Sequence, residues 1–293
     1  MLRAPHLLLG LLPWCAGAAG LLLSPSAHAY CRTYTCQAQK TCEDDDYGCP
    51  VGGVPLHWPR RCLSFSVQRD ASPLRGISLA AAEAVLDTAH ATWTSVTCAG
   101  AAPSIEVVRL PSVACDAVEF NECDQNANVW IFRDEAWPYD DGGATLAQTW
   151  VHFATKTGEI YDADVEVNTA AYAITTSTAL QRDQFIAIAT HEIGHVLGLD
   201  HSPREDATMF AFYGRDSQVS DLADDDVAGL CAIYPPDRAV GSCDPTPYHG
   251  FSTECGTVEC EDRGCAAAAP RPTGSAGLWL LGPLGSLLAC ALL

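Results

Sequence analysis

The chain has 293 residues, of which 48% are hydrophobic, and its 36 acidic residues outnumber its 16 basic ones to give a formal net charge of −20. This length suits one large domain or two small ones. The acidic balance argues against nucleic acid as a partner, because phosphates select Lys and Arg, and it equally disfavours an anionic membrane surface. Its plainest interpretation is the solubility of an exported protein.

Residues 1–29 predict a signal peptide. Arg3 supplies a weakly basic start, residues 7–12 and 16–23 are apolar, and Ala27-His28-Ala29 fits the small-x-small rule of a signal peptidase site. The mature chain would then begin near Tyr30. An uncleaved membrane anchor is the alternative interpretation.

The cysteines indicate an oxidising compartment. There are 15 of them, and none forms a CxxC pair, so a cysteine zinc site is not expected. We therefore expect disulfides, whose connectivity the sequence leaves open. The cysteines also help to divide the chain into a Cys-rich N-terminal segment (30–57), a main domain (58–236) and a Cys/Pro-rich tail (237–265).

The last part of the chain, residues 266–293, is interpreted as a hydrophobic sorting or anchoring segment. Residues 274–293 carry no charge and are long enough to span a bilayer as a helix. With Cys265 before it, this end resembles the cysteine-plus-hydrophobic sorting tails of some Gram-negative bacteria, although the usual terminal arginine cluster is missing. A plain transmembrane anchor, which would attach the protein to a membrane, is the competing interpretation.

The main domain has the pattern of one α/β (α+β) unit. A helix is predicted after Ser78, a plausible N-cap, because apolar residues recur every three or four positions. A second helix is predicted over Leu180–Leu199. A third is marked by apolar residues over Val227–Tyr234, with Asp224–Asp226 in its first turn, where carboxylates suit the helix dipole. Strand-like runs cover 61–68, which alternates like a half-buried strand, and 104–110, 128–134, 145–153 and 160–168. This order predicts a twisted mixed sheet with helices packed behind it.

The stretch HEIGHVLGLDH (191–201) carries the chemistry. His191 and His195 lie four residues apart, so they share a helix face and can grip one zinc ion. Glu192 is placed to reach a water on the metal rather than the metal itself. Gly198 can end the helix, after which the chain delivers His201. Three protein ligands leave a fourth position for water, which marks a catalytic zinc site. Core histidines, or a metal-binding but inactive protein, are the alternatives.

These residues, the ATMF turn at 207–210 and LADDDVAGLCAIY at 222–234 resemble the metzincin metalloproteases and, among them, the matrixins. The resemblance covers roughly residues 58–234 and implies a metzincin-type catalytic domain whose active-site helix carries the zinc motif. It implies roles for individual residues: zinc ligands at His191, His195 and His201, a general base at Glu192, a floor under the metal at Met209, a position near the S1′ pocket at Tyr213, and a substrate-pairing edge at Leu146 and Ala147.

The chain departs from the matrixin pattern at the substrate-pairing edge and at the second metal site. At the substrate-pairing edge, Gln148 stands where the flanking matrixin histidine is expected. At the second metal site, matrixins hold a structural zinc and calcium through a His- and Asp-rich stretch, whereas DADVEV at 162–167 has no histidine. A structural zinc is therefore not expected. Ca²⁺ held by oxygen ligands remains possible, with a solvated acidic strand as the alternative; the candidate ligands are Asp162, Asp164 and Glu166.

The matrixin propeptide with its PRCG cysteine switch is also absent. GCPVGG at 48–53 is only weakly similar to this motif, and we expect Cys49 to form a disulfide.

The motif and the resemblance together predict a secreted or surface-held zinc endopeptidase that cleaves protein or peptide substrates with a zinc-activated water. The alternative is a catalytically inactive metzincin-fold protein that serves in binding or adhesion at the cell surface. No ligand and no base of the motif is lost, which counts against this alternative.

Overall fold

The computed structural model describes residues 30–139, 145–177, 184–211, 221–256, 276–277 and 286–292. Its helices and strands, in chain order, are β1 (Cys31–Arg32), α1 (Cys36–Gln39), β2 (Glu43–Asp44), β3 (Pro50–Val51), β4 (Cys62–Val67), α2 (Leu79–Thr94), β5 (Glu106–Arg109), β6 (Val129–Phe132), β7 (Ala147–Ala154), β8 (Ile160–Val167), α3 (Phe185–Val196), β9 (Leu199–Asp200), α4 (Asp224–Ile233), β10 (Ala276–Gly277) and β11 (Ser286–Leu292).

The main sheet is mixed. Its central strands follow the order β5-β4-β6-β8-β7, in which only the β8–β7 pair is antiparallel. Beyond β7, the backbone of β11 pairs in parallel with residues 148–154, and β10 pairs with β11. Helices α2 and α3 pack together and against this sheet. The predicted fold class, a mixed sheet with packed helices, is confirmed.

Strand β4 differs from its predicted environment. Its alternating pattern predicted a half-buried strand, but all six of its residues are buried. The prediction was wrong because both faces of β4 are covered: Phe65 stacks on His90 of α2 on one face, and Cys62 on the other face is disulfide-bonded to Cys243 of the tail. Its polar residues Ser64 and Ser66 are therefore buried as completely as its apolar ones.

Helix α2 begins where the sequence predicted, whereas α3 begins at Phe185, later than the predicted Leu180. Ser78 is the N-cap of α2, and its hydroxyl accepts a hydrogen bond from the backbone N–H of Ala81. Helix α4 has three carboxylates in its first turn, as expected from the helix dipole. Helix α3 ends at Val196 rather than at Leu199, because Gly198 adopts a positive φ of 93° and terminates it. Residues 180–183 of the predicted helix lie outside the described residues.

The sheet has two different faces. Strand alternation directs Thr149, Val151 and Phe153 of β7 towards the helices, and we call this side the helix face. Trp150, His152 and the carboxylates of β8 lie on the other side. Residues 115–126 cover that side, with Phe120 stacked on His152 at 5.3 Å between ring centroids, and we call it the loop face.

Disulfides join several parts of the described chain, which confirms the expected disulfides. Two of them lie within the Cys-rich N-terminal segment, one joins the end of α2 to α4, and two attach the tail to the domain. Cys123 is also disulfide-bonded. The five bonds are Cys31–Cys49, Cys36–Cys42, Cys98–Cys231, Cys62–Cys243 and Cys115–Cys255.

Within the described parts of the chain, no helix has both the length and the apolar character that crossing a membrane requires. The segment limits assigned from the sequence stay predictions.

Candidate metal centre

Helix α3 brings the first two histidines together. His191 and His195 are one helical turn apart and buried, and their Nε2 atoms lie 3.2 Å from each other. The helix is apolar on its other sides, so packing against the sheet and α2 fixes its position. Two imidazole nitrogens therefore face one small volume, as the i, i+4 spacing predicted.

The third histidine arrives through a turn that requires glycine. Gly198 has φ of 93°, and a Cβ atom there would lie 2.8 Å from the carbonyl oxygen of Leu56. After this turn, the short strand β9 leads directly to His201. The ring centroid of His201 lies 5.3 Å from that of His191 and 4.8 Å from that of His195. One nitrogen from each of the three histidines lies within 4.8 Å of the others.

Backbone carbonyls determine which nitrogen of each helical histidine is available. The Nδ1 atom of His191 is 2.7 Å from the carbonyl oxygen of Thr208, and that of His195 is 3.0 Å from the carbonyl oxygen of Leu199. A carbonyl only accepts hydrogen bonds, so Nδ1 carries the proton and Nε2 keeps its lone pair. The Nε2 atom of His201 is buried without a protein partner among the described residues. This donor set fits a zinc ion.

Burial also favours the neutral histidines that a metal requires. Desolvation lowers the pKa of His191, and it lowers that of His201 to about 3. The pKa of His195 falls well below its usual range, first through burial and then through the two neighbouring imidazoles. Three neutral rings pointing their lone pairs at one another are unfavourable alone but suited to a shared cation.

Met209 forms part of the wall beside the histidines. It is buried, and a Cβ atom on Gly194 would lie only 2.1 Å from its sulfur. The glycine inside the HEIGH motif is thus required by the close approach of Met209. The carboxylate of Asp226 on α4 accepts hydrogen bonds from the backbone N–H groups of Thr208 and Met209, which holds this turn against the site.

Glu192 lies beside the histidines without joining them. Its carboxylate oxygen Oε2 accepts a hydrogen bond from the hydroxyl of Thr149 on β7 at 2.6 Å. The side chain is buried, and this desolvation raises its pKa to about 7. A buried carboxylate with this pKa can both accept and return a proton near neutral pH, which is the property of a general base.

Comparison with known proteins identifies this arrangement. A sequence model of the matrixin family matches residues 57–235. The chain belongs to the matrixin family. The resemblance to the matrixins that the sequence indicated is therefore confirmed. The matched region contains the three histidines, Glu192, Thr149 and Met209.

Several characterised proteins resemble parts of this matrixin. Matrix metalloproteinase-C of Caenorhabditis elegans is 25% identical over 189 residues, which are 62% of this chain and 29% of the relative. Human matrilysin is 35% identical over 101 residues, 34% of this chain and 35% of its own. Metalloendoproteinase 1-MMP of Arabidopsis thaliana is 35% identical over 99 residues, 34% of this chain and 26% of its own. The chain thus spans about a third or less of the length of these relatives.

The structure describes two of the three residues that the sequence predicted to contact substrate. Ala147 is the first residue of β7, and Leu146 precedes it and accepts a hydrogen bond at its carbonyl from the backbone of Asn168. Both lie in the same run of chain as Thr149, the partner of Glu192. Their role in substrate pairing stays a prediction. Tyr213 lies outside the described residues.

The acidic residues of β8 are buried, so the alternative of a solvated acidic strand is wrong. Asp162, Asp164 and Glu166 are buried on the loop face of β8. Asp164 accepts hydrogen bonds from the backbone N–H groups of Val129 and Glu119. Glu166 accepts from the side chains of Arg133, Tyr139 and Trp150. Neither oxygen of Asp162 has a hydrogen-bond partner among the described residues.

Sequence reasoning missed two residues that hold the site together. Strand alternation could place Thr149 on the helix face, but no local signal indicates that its hydroxyl meets Glu192. Asp226 was attributed only to the helix dipole, whereas it also holds the backbone of Thr208 and Met209. Both contacts join segments that are far apart in sequence.

Proposed function

We propose that this matrixin is an exported zinc endopeptidase. The observation that carries the proposal is the convergence of three histidines, two of them buried and with Nδ1 held by backbone carbonyls, beside a carboxylate held by Thr149. Because the chain covers only part of its relatives, its activity and substrates are proposed from this geometry and from family membership.

Each residue of the site then has one task. His191, His195 and His201 would hold the zinc through nitrogen. When bound, zinc acts as a Lewis acid and lowers the pKa of a water molecule towards about 7. Met209 and Gly194 shape the wall beside the ligands without contributing a donor.

Glu192 would move the proton. Its carboxylate takes a proton from the attacking water and passes it to the amine nitrogen of the leaving peptide fragment. The hydrogen bond from the Thr149 hydroxyl to Glu192 Oε2 fixes the orientation of the carboxylate, and with it the direction of the second oxygen, Oε1. In the metal-free site, burial raises the pKa of the Glu192 carboxyl to about 7, so this carboxylate accepts a proton more readily than an exposed glutamate does.

An extended peptide is the substrate form that fits this site. We propose that it pairs with the chain at Leu146 and Ala147, close to Thr149, with Tyr213 near the pocket for the following side chain. The outer edge of β7 already accepts an extended segment in the structure, because β11 pairs there from Gln148 onwards. Peptide addition to such an edge supplies backbone hydrogen bonds independent of side-chain sequence.

We also propose that Ca²⁺ binds at Asp162. Its carboxylate is buried without a partner among the described residues, and burial together with Asp164 and Glu119 raises its pKa. Oxygen ligands in an acidic surrounding suit Ca²⁺. Calcium should therefore raise the melting temperature of the wild type but not that of Asp162→Asn. Equal melting temperatures with calcium and with a calcium chelator would instead show that Asp162 is held as the neutral acid.

Export and surface attachment complete the proposal. Residues 1–29 would be removed as a signal peptide, and residues 266–293 would sort the protein to, or anchor it at, the surface of a Gram-negative cell. The disulfides of the described chain are consistent with an oxidising compartment.

Proteolysis of casein by the secreted protein tests the central claim. The protein should contain about one zinc per chain, lose its activity with a zinc chelator and regain it when zinc is added back. An adhesion protein with the same fold would bind its partner equally well with and without the chelator and would cleave nothing. Absence of both zinc and proteolysis in folded, oxidised protein would refute the proposed function.

A further inference from the structure

The Cys-rich N-terminal segment, residues 30–57, lies against the loop that carries the third histidine. Strand β1 pairs in antiparallel with β9, the two residues that precede His201. The backbone N–H of Thr33 donates to the carbonyl oxygen of Gly198 at 2.9 Å, which extends this pairing to the turn at the helix end. The whole connection between α3 and His201 is therefore bonded to the N-terminal segment.

One contact of this segment reaches a carbonyl that orients His195. The hydroxyl of Thr33 donates to the carbonyl oxygen of Leu199 at 3.0 Å. The same oxygen is the partner of His195 Nδ1, also at 3.0 Å. Groups that hold the second nitrogen of a ligating histidine set its tautomer and its ring orientation. Thr33 thus helps to fix the position of that carbonyl.

A second contact reaches the backbone of His201. The side-chain amide of Gln37, on α1, donates to Oδ2 of Asp200. The other oxygen of Asp200, Oδ1, accepts from the backbone N–H of His201 at 2.7 Å. Gln37 is only 2% exposed and Asp200 only 7%, so water does not compete strongly for these bonds. Gln37 therefore holds the carboxylate that holds the backbone of the third ligand.

The N-terminal segment is itself rigid. The disulfide between Cys36 and Cys42 closes a short loop that includes Gln37, and the disulfide between Cys31 and Cys49 closes a longer one. The hydroxyl of Thr35 accepts a hydrogen bond from the backbone of the returning chain near residue 54. Ligands are positioned best by neighbours whose own conformation is locked. Cys49 is engaged in this framework and is not a free thiol.

We propose that residues 30–57 are a permanent positioning element of the zinc site, with Gln37 as a positioning residue, and not an inhibitory propeptide. The inference deepens the proposed function and rests on zinc binding by the three histidines. The matrixin match begins at residue 57, so this chain supports the metal site with a segment from outside the matched domain.

The test compares two buried amides. Gln37→Met removes the amide near the zinc loop at similar side-chain size. Asn128→Leu is the matched control. Asn128 is likewise a buried amide, but its side chain bonds to the backbone of Ser64 and of Ala163, in the sheet. The full chain, secreted and oxidised, is loaded with zinc, and transfer of the zinc to an excess of a coloured chelator gives its dissociation rate. Melting temperatures are measured in parallel.

Gln37→Met should release zinc about tenfold faster than the wild type, at the lower end of the effect of outer-shell changes on metal sites. Asn128→Leu should lower the melting temperature and release zinc at the wild-type rate. The visible absorption of Co²⁺ bound in place of zinc should change only in Gln37→Met. If Gln37→Met does not fold, Gln37→Asn, which keeps the amide but shortens its reach, should give a smaller increase in the same direction.

Wild-type release rates in both Gln37 variants would overturn the positioning role. A rise in peptidase activity in either variant would also overturn it, because it would mean that the segment inhibits. A wild type that binds no zinc at all refutes the proposed function itself, and this result is separate from the comparison between variants.

Discussion

Replacing Glu192 by Gln removes the proton acceptor and leaves the rest of the site in place. Thr149 donates its hydroxyl hydrogen to Glu192 Oε2 at 2.6 Å, and the carbonyl oxygen of a glutamine side chain can accept the same bond. The two side chains have nearly the same size, so the buried space is filled in the same way. Zinc content and fold should therefore be retained.

The expected loss of activity follows from the role of the carboxylate. A positioned general base contributes about 10²–10⁴-fold to the rate. At about 1.4 kcal/mol for each factor of ten, this corresponds to about 3–5 kcal/mol of transition-state stabilisation. Burial raises the pKa of Glu192 to about 7, so it is a stronger base than an exposed glutamate. We therefore expect kcat/KM to fall by at least about a hundredfold.

The assay is hydrolysis of one peptide substrate by zinc-loaded wild type and Glu192→Gln, with zinc content and melting temperature measured on the same samples. Glu166→Gln is the control: it is the same chemical change at another buried carboxylate, on the loop face of the sheet, and it should lower stability while keeping activity. Retention by Glu192→Gln of more than about a tenth of the wild-type rate would refute the mechanism. Loss of zinc from Glu192→Gln would refute the assignment of Glu192 as a base that is not a ligand.

Three further predictions use other measurements. His201→Ala should lose most of its zinc by elemental analysis, because two histidines remain of three. His152→Ala, which removes a half-buried histidine on the loop face, should keep its zinc; unchanged zinc in His201→Ala would contradict the three-ligand assignment. Burial lowers the pKa of His90 from its ordinary value of about 6.5 to about 4. The unfolded chain therefore takes up a proton on this histidine at a higher pH than the folded chain does. The free energy of unfolding should fall for this reason by about 3 kcal/mol as the pH drops from about 6.5 to about 4. In His90→Phe, the free energy of unfolding, measured with denaturant, should fall less between about pH 7 and about pH 4. Equal falls in the two proteins would show that His90 is not responsible. The intact mass of the secreted protein, with and without reductant, should show a start near Tyr30 and oxidised cysteines; a start at Met1 or free thiols throughout would contradict export.

Much of this protein could be predicted from local patterns in its sequence. The spacing of His191, His195 and Gly198 is sufficient to place two ligands on one helix face and to end the helix, because helix geometry depends only on near neighbours. For the same reason, Ser78 was correctly predicted to cap α2. The five central strands were found in order, since each has enough apolar or β-branched residues to be recognised alone.

Tertiary structure decided what surrounds those elements. The alternation in β4 is typical of a surface strand, yet every residue of β4 is buried because α2 covers one of its faces and the disulfide-bonded tail covers the other. The contact of Thr149 with Glu192 joins residues 43 positions apart, and that of Gln37 with Asp200 joins residues 163 apart. No local propensity encodes such pairs, because they exist only once the sheet, the helices and the disulfides have brought distant segments together. The sequence by itself thus indicated the three histidines and Glu192, and the fold decided which residues hold them in place.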